Sequence, residues 1–493
     1  MNNRPQRRQK KSAPAAILFF VVSIMGLFIA VAAIMAGGSR GTSWPMLIVI
    51  TTSVWFLSYL YASYSYYRSI YLFSTAFLLG LFLFHLGLVY QVAFGVVEAP
   101  SWTEGDSGEL MERAGWFVYL ALCSFGCGAA IGINFIRGNS RDIEITPQVR
   151  KKVNSFLGNQ AMGLGIACII FLIMMIYAYG NVFTYSRAEL FNLQVDTRGF
   201  GLLMMVLPGA VILYVLSAQT AFNKIMAYCL AAFVFLFILF SGYRSAALFP
   251  SVVGAVLWVK SGRKIPKAVA VSAVVSVLFA ISVAGIFRQM GSYDSLTAEK
   301  FEQAAGDAEI GSSITEMGQT LGVLAQVLRL VPEVDQHTYG YSYWTATKHM
   351  LPNIGITTQS EESRMAGRAK AFFDQEELVK MAPADWITFR LNRWKFDNGQ
   401  GVGFSAIAEP YLNFGTFGVI AYFFLLGVVL AQIDKINVIA RPYMYLLLAT
   451  SYWPFLRTVR NDFGNFSKPF AFIIIILLIW NVSLAVIGQR RKP

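Results

Sequence analysis

The chain has 493 residues, of which 56% are hydrophobic and only 14% charged, and its mean hydropathy is positive. Such a balance excludes an ordinary water-solvated globular fold and points to a membrane protein. A net charge of +13 could suggest nucleic acid, but the basic residues punctuate apolar runs instead of pooling on one soluble face, so membrane topology accounts for them.

A bilayer core about 30 Å thick needs roughly 20 apolar residues at about 1.5 Å rise each. The chain repeats such runs from end to end. After a basic tail, residues 1–13, the predicted spans are 14–36, 45–67, 69–97, 115–136, 157–180, 200–219, 225–241, 245–259 and 268–288. The first run follows RPQRRQKK, yet it is too long for a signal-peptide core and no convincing small-residue cleavage site closes it. A hydrophilic excursion over 289–403 separates these nine from three more spans, 405–431, 443–457 and 467–487, and a basic tail closes the chain at 488–493. The expected fold is therefore all-α and polytopic: transmembrane helices within 14–288 and 404–487, about twelve in all, and one large extracytoplasmic loop.

Orientation follows from charge. With the N-terminus inside, the inner segments hold 21 lysines and arginines and the short outer loops hold eight, which favours N-in and C-in. Cys123, Cys127, Cys168 and Cys229 all fall inside predicted helices, where they read as small core residues and suggest neither a disulfide framework nor a thiolate metal site. No inner segment is long enough for a nucleotide-binding domain, and no P-loop or dinucleotide-binding glycine pattern is present.

Function is expected on the outer side, where 289–403 is long enough to fold as a small domain or cap. Its second half holds aromatic clusters, TYGYSYWTATKHM and DWITFRLNRWKF. Tyrosine and tryptophan present a flat apolar face beside a polar tip, which suits a sugar ring. Tyr243, Tyr341, Trp344, Trp394 and Tyr411 are the candidate glycan contacts. The plainer reading is that such aromatics pack the cap onto the membrane.

Four arginines stand at the outer ends of apolar runs: Arg244 in FSGYRSAALFP, Arg288 in AGIFRQM, and Arg457 with Arg460 in WPFLRTVRNDFG. Arginine beside hydrocarbon is costly and needs a partner or a wet cavity, and guanidinium makes paired hydrogen bonds to phosphate oxygens. Four from three separate places in the chain would suit a lipid-linked pyrophosphate, whereas any one alone suits snorkelling to headgroups.

Glu409 opens the run AEPYLNFGTFGVIAYFFLLG, where Pro410 is tolerated in a first helical turn. It is either a cap at the positive helix end or a general base for a sugar hydroxyl. His85 lies in an apolar run and reads as a core residue, whereas His337 and His349 lie in the excursion, with His349 the better rival base. Asp397 and Asp462 are further carboxylates, the latter placed to pair with Arg460. No aspartate-any-aspartate pair exists to clamp a divalent cation, so neither a metal nor another cofactor is expected.

These residues resemble a family. FSAIAEPYLNFGTFGVIAYFFLLGVVL, with SGYRSAALFP and WPFLRTVRNDF, is similar to the bacterial oligosaccharide repeat-unit polymerases of the Wzy type, which build O-antigen, capsule or exopolysaccharide. The resemblance implies a GT-C-like membrane glycosyltransferase of the cytoplasmic (inner) membrane. It implies transfer of a growing glycan from an undecaprenyl-pyrophosphate carrier to the non-reducing-end hydroxyl of a new lipid-linked repeat unit, on the periplasmic or exterior face. Arg244, Arg288, Arg457 and Arg460 match pyrophosphate-binding arginines, and a chain-length regulator is an implied partner. A related ligase shares this chemistry; a twelve-helix transporter is the rival from another class, weakened because no clear repeat relates the halves, ionisable residues are sparse at mid-membrane and the largest soluble element is on one side only.

Overall fold

The computed structural model describes residues 13–37, 43–97, 105–134, 146–179, 199–240, 244–289, 314–315, 317–348, 350, 381–397 and 401–490. Among them there is no strand. The helices are α1 (Ala13–Ala36), α2 (Trp44–Tyr67), α3 (Phe73–Leu81), α4 (Gly87–Ala93), α5 (Gly105–Asn134), α6 (Pro147–Tyr179), α7 (Gly199–Ser217), α8 (Ala221–Phe240), α9 (Arg244–Lys260) and α10 (Lys267–Gln289). The excursion contributes α11 (Thr320–Leu330), α12 (Tyr341–Lys348), α13 (Pro383–Leu391) and α14 (Arg393–Asp397). Three helices follow: α15 (Ala408–Asp434), α16 (Pro442–Arg457) and α17 (Gly464–Arg490).

Eight of the described helices are long and apolar enough to cross a membrane: α1, α2, α3 running on into α4, α5, α6, α8, α15 and α17. These coincide with eight of the twelve spans expected from the sequence. The other four fall on α7, α9, α10 and α16, whose apolar stretches are shorter among the described residues. Large apolar side chains such as Phe28, Ile173, Phe222 and Leu478 stand exposed on the flanks of the bundle, as a lipid-facing surface requires. Cys229 belongs to that surface and is exposed on α8, which corrects its reading as a core residue; Cys123, Cys127 and Cys168 are buried.

The central helix is α5, whose apolar stretch is 94% buried. It packs along α15 through small residues: a Cβ on Gly128 would overlap the Phe424 carbonyl, and one on Gly427 would overlap the Phe125 carbonyl. With no hydrophobic drive between helices in lipid, such close backbone approach is what holds a pair together.

At the end of the bundle opposite the excursion, two consecutive residues close two helices in trans. The carboxylate of Asp434 accepts the Phe73 N–H at 2.7 Å and the Ser74 N–H at 3.2 Å, capping the start of α3, and it also accepts the Ser74 hydroxyl. The Lys435 ammonium donates to the Gly132 and Ile133 carbonyls at 2.7 and 3.1 Å, at the end of α5. Anion at an N-terminus and cation at a C-terminus both agree with the helix dipole. Lys260, from the end of α9, donates to the Asp434 carbonyl at 2.7 Å and lies 3.9 Å from its carboxylate.

The described part of the excursion packs on the bundle. Leu321, Leu324 and Leu328 of α11 are buried in the common core, and Gly318 presses on α4, where a Cβ on it would overlap the Leu88 amide. Asp335 then accepts both Trp386 Nε1 (3.1 Å) and the Arg390 guanidinium (Nε at 2.9 Å), tying α13 to the strap after α11.

Candidate functional site

The run AEPYLNFG forms a short helical segment that breaks and folds back. Phe414 and Gly415 leave helical geometry, with Gly415 at φ +63 and ψ −153, a region that only glycine occupies without strain. The six residues before the break lie against the helix that follows it, because a Cβ at Gly418 would overlap the Pro410 carbonyl eight residues earlier. The carbonyls freed by the break are taken up by the excursion: Thr338 N–H donates to Leu412 O at 3.0 Å and Tyr339 N–H to Asn413 O at 3.1 Å.

Asn413, fully buried, is the hub of this joint. Its Oδ1 accepts the Thr338 hydroxyl (2.6 Å) and the Gly340 N–H (2.8 Å); its Nδ2 donates to Ser342 Oγ and to the Glu409 carbonyl, both at 2.8 Å. Every hydrogen-bonding position of the amide is filled, as a buried side chain of this kind demands. Ser342 then donates to Glu409 Oε1 at 2.9 Å, and Glu409 Oε2 accepts the Phe463 N–H at 2.7 Å. The line from Asn413 through Ser342 and Glu409 to Phe463 thus joins α12, α15 and the turn between α16 and α17. Tyr343 packs into the same joint, stacked on Tyr422 and edge-on to Phe463. Burial and the charge of Glu409 push its phenol well above the ordinary range, so it stays neutral.

That turn carries Arg457 and Arg460, both half-buried. It is built of short-range bonds, Arg460 N–H to Arg457 O at 3.1 Å and Asn461 Nδ2 to the same carbonyl at 3.1 Å. The chain leaving the excursion pairs with it, Phe404 N–H donating to Arg460 O at 2.8 Å. The Arg460 guanidinium lies over the Phe84 ring, 5.8 Å from its centroid. Asp462 accepts the Ala384 N–H at 3.3 Å and Asn465 Nδ2 at 3.1 Å, so its carboxylate also anchors α13 to this turn.

Arg244 opens α9, and Phe249, five residues on, shares the space beside Gly80 with Val459 of the arginine turn. The start of α9 and the turn are therefore neighbours across α3. The side chains of Arg244 and Arg288, and the whole of Tyr243 and His349, lie outside the described residues. Tyr341, Trp344 and Trp394 are exposed at 39%, 64% and 64%. Tyr411 is not: it is buried against Phe117 and His337, and its hydroxyl is spent on the Val331 carbonyl at 3.3 Å. Its reading as a glycan contact is corrected to a packing residue.

His85 is a core residue as expected, its Nε2 2.7 Å from Ser405 Oγ; that hydroxyl also accepts the Ile407 and Ala408 N–H groups at the head of α15. His85 sits in a single π-type turn, Phe82–Leu86, that joins α3 to α4. His337 places Nδ1 3.2 Å from the Leu412 carbonyl, at the break itself. Among the described residues, no three His, Cys, Asp or Glu side chains gather into a metal-holding group.

Asn413, Ser342 and the Phe463 amide were not singled out from the sequence. Asn413 carries a signal in hindsight, a buried amide just before a glycine break; Ser342 and a main-chain N–H carry none. No curated protein and no solved structure matches the chain. The family model for the O-antigen polysaccharide polymerase Wzy matches residues 15–490, and the chain, an integral membrane protein by its apolar helices, belongs to that family.

Proposed function

We propose that the protein polymerises lipid-linked oligosaccharide repeat units, moving the growing glycan from an undecaprenyl-pyrophosphate carrier onto a fresh lipid-linked unit at the outer face of the inner membrane, without a metal. The observation that carries this reading is the arginine turn: Arg457 and Arg460 on one turn, which is fastened to the excursion through Glu409 and whose Val459 meets Phe249 of α9, the helix that Arg244 opens, across Gly80. In the transfer, the acceptor hydroxyl oxygen bonds to the anomeric carbon while the bond from that carbon to the pyrophosphate oxygen breaks. The departing pyrophosphate keeps the electron pair, and guanidinium groups offset its charge. N-in and C-in topology, from the distribution of lysine and arginine, puts the excursion and this turn outside.

The proton of the acceptor hydroxyl must go to a base that reaches it. Glu409 is buried with both oxygens engaged, which favours a positioning role for it. His337 is the better-placed base: an Nδ1–H held by the Leu412 carbonyl leaves Nε2 with its lone pair. Tyr341, Trp344 and Trp394 offer exposed ring faces to the glycan.

The test is to incubate the purified protein in detergent with lipid-linked repeat units, without nucleotide sugar or metal, and separate the glycans on a gel. A ladder of repeat multiples is the expected result. Unchanged single units with folded protein and matched substrate would overturn the reading in favour of a ligase or a transporter.

A further inference from the structure

Beside the arginine turn, at the same end of the bundle, α4, α5 and α11 enclose a cavity of about 510 Å3, within the range of small-molecule sites. Leu88, Leu110, Met111, Leu321 and Ala325 wall it, and Asp106, Gln319, Gln326 and Arg329 supply its polar groups. Among the described residues that line it there is no aromatic ring, and its walls are mostly apolar. Val97 also lines it, and the adjacent Phe94 and Val96 are 64% and 66% exposed, so the apolar wall runs on to exposed apolar residues just past the end of α4. Leu88 stands about 6 Å, four residues, along the helix from Phe84, whose ring the Arg460 guanidinium covers. Gly322 leaves open space toward the cavity, with no heavy atom within 4 Å of where its Cβ would stand.

We propose that this cavity holds the phosphate-proximal isoprenoid units of a lipid-linked substrate, an assignment that rests on the polymerase reading. The chain enters sideways from the bilayer past Phe94 and Val96. Its apolar units fill the walls of Leu110, Met111 and Leu321, and its polar head emerges among Gln326, Arg329 and the arginine turn. Burial of apolar chain in such a slot needs no aromatic surface, whereas a saccharide would leave its hydroxyls facing leucine and methionine.

The test uses the full chain in nanodiscs and a polyprenyl phosphate carrying a diazirine in its first isoprene units and no sugar. After irradiation, peptides containing Met111 and Leu321 are expected to carry the label, and unlabelled polyprenyl phosphate is expected to displace it. Gly322→Trp, which fills the slot, is expected to lower that labelling about tenfold, equivalent to about 1.4 kcal/mol of binding, while Gly322→Ala leaves it unchanged. Labelling confined to the exposed flanks, or equal labelling in Gly322→Trp, overturns the assignment. So does labelling of Met111 by a diazirine-bearing free oligosaccharide but not by the chain probe. Labelling needs no turnover, so a protein that labels here yet makes no ladder counts against the polymerase reading alone, and a ladder without label counts against the cavity alone.

Discussion

The carboxylate of Glu409 accepts the main-chain N–H of Phe463 at 2.7 Å, across 54 residues of chain, and so fastens the helix that follows the excursion to the turn that bears Arg457 and Arg460. A buried carboxylate with one oxygen on a hydroxyl and the other on an amide N–H is a clamp before it is anything else.

Glu409→Gln can keep its carbonyl on the Phe463 N–H, but its NH2 then faces Ser342 Oγ, which must turn from donor to acceptor and leave its own proton without the carboxylate. The expected result is a stability loss of about 1–3 kcal/mol together with loss of the polymer ladder, read by thermal unfolding and by gel on the same preparation. A ladder lost at an unchanged unfolding midpoint would instead assign Glu409 to the chemistry.

Gly415→Ala forces a Cβ into a backbone region that is open to glycine alone, at a cost of about 1–3 kcal/mol and with loss of the fold-back that presents Leu412 and Asn413 to the excursion. Gly418→Leu should cost more, since its side chain meets the Pro410 carbonyl. Gly165→Ala, in α6 with open space around it, should be neutral or stabilising by up to about 1 kcal/mol. Thermal midpoints of the three variants in one detergent give the ranking.

Asp434→Ala strips the cap from Phe73 and Ser74 and leaves Lys260 facing no carboxylate. Removing one partner of a buried pair costs about 3–5 kcal/mol, so the variant should give little folded protein. Replacing both, Lys260→Met with Asp434→Leu, should recover part of the yield, measured as monodisperse protein by size-exclusion chromatography.

Arg244→Ala and Arg457→Ala should each abolish polymer while the protein remains in the membrane with its unfolding midpoint little changed. Arg457→Lys keeps the charge but loses the paired donors of guanidinium, and should also fall short of wild type. Polymer at wild-type level in both alanine variants would sink the pyrophosphate site.

Much of the architecture was legible without coordinates, because lipid imposes a one-dimensional rule: a run of about 20 apolar residues must be a helix with its backbone satisfied internally. The long runs such as 14–36 and 467–487 followed that rule, while α16, 16 residues from Pro442 to Arg457, is too short for it to decide. Arginines at run ends were visible for the same reason, since charge beside hydrocarbon is conspicuous. Glu409 stood out, but its partners did not. Ser342 and the Phe463 amide lie 67 and 54 residues away and share no periodicity with it, and a main-chain N–H has no letter of its own. Tyr411 and Cys229 show the limit from the other side: composition marks a residue as apolar or amphipathic, while only packing chooses between core and lipid, as the burial of one against Phe117 and the exposure of the other demonstrate. Hydropathy thus settled that the chain spans a membrane and where its charges interrupt it; the meeting of Asn413, Ser342, Glu409 and Phe463 depended on three distant segments closing together, because hydrogen bonds between them form only once the bundle is assembled.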